Sequence, residues 1–500
     1  MTADAHRLPD PTLVVLVGPS ASGKSVWASE HFAPDQVVSS DRLRALVGES
    51  EHDLAASADA FDLLDRIVAA RMGRRLTTVV DTLGLEPDRR RHWMSLAHRR
   101  RVPTVAVVFD TPAAECRRRN AARDHRVPAG VLAHQQRNFA EQRALLEDEG
   151  YDEVLPIQAV RMVPAAVAAA ARAAEAVAAK ADLGGRRLRF GLHLSSWDAP
   201  GGAPELRDRV RDVAGRAEAA GFDSIWVMDH MRQIPQNGRA WDDMLESTTT
   251  LGYLAGATSR TTLGALVNCV TYRNIAHLGK IVSTLDVLSS GRAWCGLGLG
   301  WYADEHHAYG WRFPSVAERY TMLEDALRVL PLMWGKGSPS FSGSVTSVPE
   351  AMAYPRPLAG RVPMLVGGSG ERRTLRLAAQ YADACNLFGD VETVRHKVEV
   401  LRRHCADLER DPADVEVTHL GTVLVAGDAT ELSSEVERRQ PPRQHAQWSR
   451  RVTAGTVDDH VLRARGLQAV GVEHVIVSLV GIWDSPAIER FGDVIDACRR

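Results

Sequence analysis

Residues Gly18-Pro19-Ser20-Ala21-Ser22-Gly23-Lys24-Ser25 satisfy the G-x-x-x-x-G-K-[ST] pattern in full. The chemistry of that spacing is phosphate binding. Gly18, Ser22 and Gly23 turn backbone N–H groups toward phosphate oxygens, Lys24 brings charge to the β and γ phosphates, and the Ser25 hydroxyl can ligate the magnesium that travels with ATP. Downstream, Asp41 closes Val38-Ser39-Ser40-Asp41, and Arg44 follows one helical turn later. The carboxylate can take a proton from an attacking hydroxyl and the guanidinium can hold an acceptor's phosphate. The plainer alternative is that Asp41 caps a helix. Arg119 and Arg123 stand i,i+4 within the run Cys116 to Arg126, a spacing that predicts one helix face able to close over a triphosphate.

A second set lies in the C-terminal half. Asp229 and His230 follow the apolar run Ser224 to Val227, where an imidazole can exchange protons near neutral pH. Gly367-Gly368-Ser369-Gly370 separates an apolar run from a helix start and suits a phosphate. In Gly296-Leu297-Gly298-Leu299-Gly300-Trp301 the glycines are expected to leave room for a flat ring, with Trp301 and Glu305 by the mouth of the site.

The elements that must position these residues alternate between strand and helix patterns. Thr12–Val17, Gln36–Ser39, Thr77–Asp81, Thr104–Asp110 and Glu153–Pro156 predict a parallel sheet covered on both faces. An alanine-rich helix opened by Pro164 and stopped by Gly184-Gly185 is expected next. We therefore divide the chain into a P-loop unit over 1–162, a helical linker over 163–186 and a second α/β unit over 187–500. From Leu188 onward, eight strand candidates alternate with helices: Leu188–His193, Ser224–Val227, Thr262–Val267, Ala293–Gly298, Met364–Val366, Ala384–Leu387, Glu416–Val425 and Val475–Leu479. That rhythm predicts a (β/α)₈ TIM barrel, whose catalytic groups gather at the C-terminal ends of the strands. Gly335–Val362 and Gly427–Thr453 are expected to be irregular insertions. The fold class is thus α/β in both halves.

A chain of 500 residues holds two ordinary domains, and a net charge of −2 argues against a surface built wholly for nucleic acid. The six cysteines form no C-x-x-C pair, so neither a zinc site nor a disulfide framework is suggested. The polar N-terminus is no signal peptide, and Val163–Ala181 is too weakly apolar to span a bilayer. We expect a cytoplasmic protein with no membrane partner and a homodimer among its open assemblies.

From about Val14 to Pro156 the motifs resemble the kinase domain of bacterial polynucleotide 5′-kinases. They include the P-loop, Ser39-Ser40-Asp41 with Arg44, Val79-Val80-Asp81 and the arginine-rich run. The resemblance implies Asp41 as general base, Arg44 as acceptor-phosphate ligand, Arg119 and Arg123 as lid arginines on ATP, and a nucleic-acid 5′ end as acceptor. One departure stands out: Asp81 is followed by Thr82-Leu83-Gly84 where the family has Ala-Thr-Asn, so the acceptor is open. A regulatory ATP-binding module is the alternative.

From Leu188 to Arg410, and again at Val475–Leu479, the chain resembles the luciferase-like monooxygenase superfamily, in particular its branch using the deazaflavin coenzyme F-420. Trp226-Val227-Met228-Asp229-His230, Val270-Thr271-Tyr272-Arg273-Asn274, Gly300-Trp301 and Tyr381-Ala382-Asp383-Ala384-Cys385-Asn386 carry the likeness. It implies a deazaflavin at the barrel mouth beside Asp229 and His230, with Asn268 on its polar edge. Gly367, Gly368 and Arg372 would hold its phosphate-bearing tail. It also implies a non-prolyl cis peptide near Leu266-Val267. The activity implied is hydride transfer with a small organic substrate, and FMN-dependent monooxygenation is the alternative. Some deazaflavin dehydrogenases carry Glu where this chain has Trp301, so sugar-phosphate oxidation is not expected.

Overall fold

The computed structural model describes residues 6–164, 187–440, 448 and 450–500. The chain forms two compact units, Met1–Ala168 and Ala169–Arg500. The expected alanine-rich linker helix lies outside the described residues.

In the first unit five parallel strands run in the order Val37–Ser39, Thr78–Asp81, Leu13–Val17, Thr104–Val108, Glu153–Pro156. The central strand Leu13–Val17 is buried throughout, which is why it reads as a continuous β-branched run rather than an alternating one. Helix Ser57–Gly73 packs Leu64, Val68 and Met72 on one face of the sheet, while Trp27 and Phe109 lie on the other. A separate parallel pair, His6–Asp10 with Val160–Pro164, was not expected; prolines at 9 and 164 break its sequence signal.

The second unit is a closed barrel of eight parallel strands. The path runs Thr262–Ala265, Ser224–Val227, Arg189–Leu194, His474–Leu479, Glu416–Ala426, Ala384–Leu387, Met364–Gly367, Ala293–Gly298, and the last pairs with the first to close it. All eight expected strands are present. Residues alternate, so Phe190, Leu192 and Leu194 meet the helices, while Gly191 faces Ser224, His474 and Ile476 inside the barrel. Trp226, Leu266, Leu365 and Ile476 fill the interior. Within the Gly335–Val362 insertion, a small antiparallel pair, Phe341–Ser342 with Ser347–Val348, is tied down by Asp325, which accepts from the backbone N–H groups of Ser344, Val345 and Thr346. The expected irregularity of Gly427–Thr453 is corrected at its start. Ala429–Arg439 is a helix capped by Asp428, and its apolar stripe is only Leu432 and Val436, partly buried against Leu424, Val452 and Ala454, which is a thin signal among charged residues. Two strands are added to the eight: Asn268–Cys269 pairs with the end of Ala293–Gly298, and Val452–Thr456 pairs with the outer half of the long strand Glu416–Ala426.

Candidate functional site

The P-loop leaves the buried strand Leu13–Val17 at Gly18, whose N–H bonds the Leu83 carbonyl at 3.0 Å, and runs into helix Lys24–His31. Ala21 and Gly23 adopt positive φ, 63° and 105°. The Lys24 ammonium folds over the loop and donates to the carbonyls of Gly18 at 2.8 Å and Pro19 at 2.7 Å. Burial pulls its pKa down to about 8 against the attraction of Asp81 and Asp41. Ser22 is buried, and its carbonyl accepts from Thr111 Oγ1 at 2.8 Å and Arg119 Nη1 at 3.3 Å. Asp81 ends its strand beside Ser25. Burial raises its carboxyl above the ordinary value, against hydrogen bonds from the Ser25 and Ser39 hydroxyls. Asp81 and Ser25 together offer magnesium two oxygen ligands. Sequence reading left Asp81 in a motif without a role, although a carboxylate closing a strand beside a P-loop was the available signal.

Asp41 lies in the first turn of helix Ser40–Val47, whose N-cap is Ser39, so the N-cap alternative is not what the structure shows. Its Oδ1 accepts from Arg44 Nη2 at 2.6 Å. Arg44 also bonds the Glu51 carbonyl through Nη1, so both Nη atoms are held within its own neighbourhood, while its Nε is buried without a partner. A cavity of about 190 Å³ beside the P-loop is lined by Asp41, Asp81, Ser25 and Glu51, and its arginine is Arg42 rather than Arg44. The shared helix face expected of Arg119 and Arg123 is corrected: helix Ala113–Ala121 ends before Arg123. A turn still brings both to the P-loop, since Arg119 reaches Ser22 and the charge of Arg123 lowers the Lys24 pKa. Gly84 has φ +64°, and a Cβ there would stand 2.3 Å from the Leu16 carbonyl oxygen. The close approach of two backbones therefore excludes a side chain where the resembling family has Asn.

At the barrel mouth Asp229 follows strand Ser224–Val227 and is buried. Arg273 grips it with both Nη atoms at 2.8 and 2.7 Å, Ser247 Oγ donates at 2.6 Å and the Cys269 N–H at 2.9 Å. Arg273 extends the pair to Glu246 at 2.7 Å. Glu246 is pushed up by burial but drawn net down to about 2 by its hydrogen bonds to Thr249 and Arg273. His230 stands next to this cluster. Its Nδ1 lies 2.8 Å from Glu305 Oε2, and its ring packs edge-on to Trp301 at 5.7 Å. Glu305 is wholly buried. Its Oε1 accepts the N–H groups of Met231 at 2.6 Å and Arg232 at 3.0 Å, and its Oε2 also accepts the Tyr272 hydroxyl. Burial pushes the Glu305 carboxyl up, yet the hydrogen bonds from His230 and Tyr272 hold it below its ordinary value. With a carboxylate on Nδ1, the imidazole carries its proton there and leaves Nε2 for exchange.

The cis peptide between Leu266 and Val267 is present. It accompanies a correction to the glycine reading. Cβ atoms at Gly298 and Gly367 would stand 2.5 and 2.8 Å from Val267 methyls, and one at Gly296 would stand 2.2 Å from the Ala265 carbonyl oxygen. The room left by these glycines is filled by the Val267 side chain and the Ala265 carbonyl rather than kept for a ring. Asn268 is buried, and its Nδ2 donates to the Gly296 carbonyl at 2.8 Å. Trp301 is half exposed and stacks on Tyr302 at 5.1 Å. Gly367 and Gly368 form the turn after strand Met364–Gly367, with Gly368 at φ +120°. Arg372 lines a shallow recess with Arg403 and His404 on helix Val391–Asp407.

Sequence reading gave no role to two inward groups. His193, in strand Arg189–Leu194, bonds Ser478 Oγ through Nδ1 at 2.9 Å, while its Nε2 is buried without a partner. Burial and the neighbouring His230 lower its pKa to about 4, so it is neutral at pH 7. Asn386, next to last in strand Ala384–Leu387, accepts from Thr418 at 2.8 Å and leaves Nδ2 buried without a partner. A lone polar residue at an inward position of an apolar strand was the signal available.

A family model described as luciferase-like monooxygenase matches residues 188–474, and one described as AAA domain matches residues 13–142. An F-420-dependent glucose-6-phosphate dehydrogenase of Kineococcus radiotolerans is 33% identical over 192 residues, 38% of this chain and 53% of that one. A pyrimidine monooxygenase of Pseudomonas syringae is 32% identical over 198 residues, 39% of this chain and 54% of its own. The chain thus spans about half the length of these curated relatives. Among solved structures, an F-420-dependent secondary alcohol dehydrogenase in complex with an F-420–acetone adduct matches with TM-score 0.52 at 20% identity, over 63% of this chain and 100% of that one, which is a likeness of fold.

Proposed function

The chain belongs to the luciferase-like monooxygenase family, and from that premise we propose that its barrel uses coenzyme F-420 to move a hydride to or from a small organic substrate. One observation carries this reading. His230, held at Nδ1 by buried Glu305, neighbours His193, and His193 Nε2 and Asn386 Nδ2 are buried polar atoms without partners. A buried polar atom left unpaired costs about 1–3 kcal/mol. An amide donor and a neutral imidazole fit the carbonyl and nitrogen edge of a deazaflavin ring. The turn at Gly367 and Gly368 suits its phosphate.

When bound, the coenzyme supplies hydride chemistry. The chain supplies the rest. Glu305, fixed by two backbone N–H groups and Tyr272, orients His230 and favours its protonated form once it takes a proton at Nε2. The Asp229–Arg273 pair holds the backbone around His230, because Asp229 also accepts from Cys269 N–H across the mouth. Titrating the full chain with F-420 and with FMN, followed by ring fluorescence, tests the reading. The expected result is tighter F-420 binding, weakened by Asn386→Leu. The likeness to a pyrimidine monooxygenase favours a second reading, FMN-dependent oxygen insertion, and tight FMN binding without an F-420 response would select it.

For the first unit we infer ATP-dependent phosphotransfer. The support is the formed P-loop with Lys24, the Ser25–Asp81 pair for magnesium, Arg119 on the loop and Asp41 on the adjoining cavity. Labelled ATP binding that Lys24→Ala abolishes, with phosphate transfer that Asp41→Asn abolishes, is the expected outcome. Binding without transfer to any acceptor would leave a regulatory module.

A further inference from the structure

We propose that the acceptor of the first unit is an uncharged polyhydroxyl compound of monosaccharide size, and not a nucleic-acid 5′ end. This rests on the phosphotransferase reading above and gives that site its substrate class. Four observations converge on it.

Size comes first. The cavity beside Asp41 holds about 190 Å³, below the ~300–1,000 Å³ of sites for drug-sized ligands. Its approach is narrowed as well. The rings of His52 and His125 lie 4.3 Å apart, so the arginine-rich segment touches the loop that carries Glu51. A polymer end needs an open track for its backbone.

Charge comes second. A 5′ hydroxyl of DNA or RNA arrives with a phosphodiester, and phosphate-tracking sites are lined with cations. Here Asp41, Glu51 and Asp81 face a single lining arginine, Arg42. The third observation removes the cation that the sequence offered for this purpose. Arg44 does not line the cavity, and both its Nη atoms turn to Asp41 and the Glu51 carbonyl.

The wall chemistry is the fourth. Phe32, Pro34 and Val37 line the cavity together with Ser29, Asp41 and Glu51. A sugar or cyclitol has the matching character, an apolar C–H face and a rim of hydroxyls that donate to carboxylates. In the transfer, one acceptor hydroxyl oxygen bonds the γ-phosphorus of ATP while the bond from that phosphorus to the β–γ bridging oxygen breaks. The hydroxyl proton passes to the Asp41 carboxylate, ADP leaves with magnesium, and the product is a phosphate monoester.

The test uses the full chain with γ-labelled ATP and magnesium. Acceptors are a panel of uncharged hexoses, pentitols and inositols beside 5′-hydroxyl DNA and RNA oligonucleotides. Label is expected on at least one polyol and on no oligonucleotide. Ser29→Trp, an exposed position on the cavity wall, should raise the polyol KM at least tenfold and leave ATP affinity within twofold. Glu51→Gln should raise that KM in the same direction. Label on an oligonucleotide, or ATP hydrolysis without label on any polyol, overturns the acceptor class while the ATP-using reading stands. No Lys24-dependent binding or turnover of ATP would overturn the phosphotransferase reading itself. A Ser29→Trp variant that phosphorylates the polyol with an unchanged KM would remove the cavity from the argument.

Discussion

Asp41 and Asp229 stand in matching places, each two residues beyond the end of a parallel strand, and each pairs with an arginine. Their surroundings separate them. The Asp41 side chain is 60% exposed and meets Arg44 through one oxygen, within the same helix. The Asp229 side chain is 0% exposed, and both its oxygens are taken by Arg273, Ser247 and the Cys269 N–H. A pair with one partner exposed contributes about 0–1 kcal/mol. Breaking one side of a buried pair costs about 3–5 kcal/mol, because a charge is left alone in a low dielectric. The same residue type at the same kind of position is therefore open to solvent in one unit and a brace in the other. On the function proposed above, Asp41 is the base of the first unit, and proton work in the barrel falls to His230 beside Asp229.

The largest expected effect tests the brace. Arg273→Ala should lower the barrel's unfolding free energy by about 3–5 kcal/mol in a denaturant titration. A loss under about 1 kcal/mol would dissolve the contrast with Asp41. His230→Ala comes next and sharpens the division of labour. Turnover should fall on the order of 10²–10⁴-fold while coenzyme affinity holds. Equal losses of both would make His230 a packing residue. Glu305→Gln should shift the pH dependence of turnover to a new midpoint, which a merely structural role would not do.

The fourth concerns acid. His193 and His460 are brought by burial to a pKa of about 4 and His419 to about 3, all below the ordinary 6.5. Above pH 6.5 folded and unfolded forms are both neutral at these rings. Between about 6.5 and 4 the unfolded chain binds protons that the folded barrel refuses, so stability falls with falling pH, by on the order of 3 kcal/mol for each ring. Melting of the second unit should therefore move down steadily over that window. A flat profile would mean the three rings are solvated. The smallest effect returns to the surface pair: Arg44→Ala should change stability by no more than about 1 kcal/mol, and a larger loss in denaturant titration would make Asp41 a brace too.

Local signals were legible in the sequence. The P-loop needs eight adjacent residues to state its geometry, and each barrel strand announces itself by an apolar run between helices. The partnerships were not. Glu305 meets His230 across 75 positions, and Arg273 meets Asp229 across 44. Nothing in the intervening pattern ties those side chains together. Arg119 and Arg123 show the opposite failure. A spacing that implies a shared helix face lost its meaning when the helix ended at Ala121, although folding still brought both to the loop. His193 was hidden because an inward polar residue breaks the apolar rule of a strand without saying what it faces.

Val267 lies half-buried with its methyls against the backbones of Gly298 and Gly367, which belong to two different strands. Shape at the floor of the mouth is consequently a joint property of three positions, none of which can be redesigned alone. An added methyl at Gly298 has nowhere to go while Val267 keeps its size, and trimming Val267 opens a hollow that either glycine can then fill. The two substitutions together should be milder than the sum of each alone, so a change of pocket contour at this spot is inherited as a set.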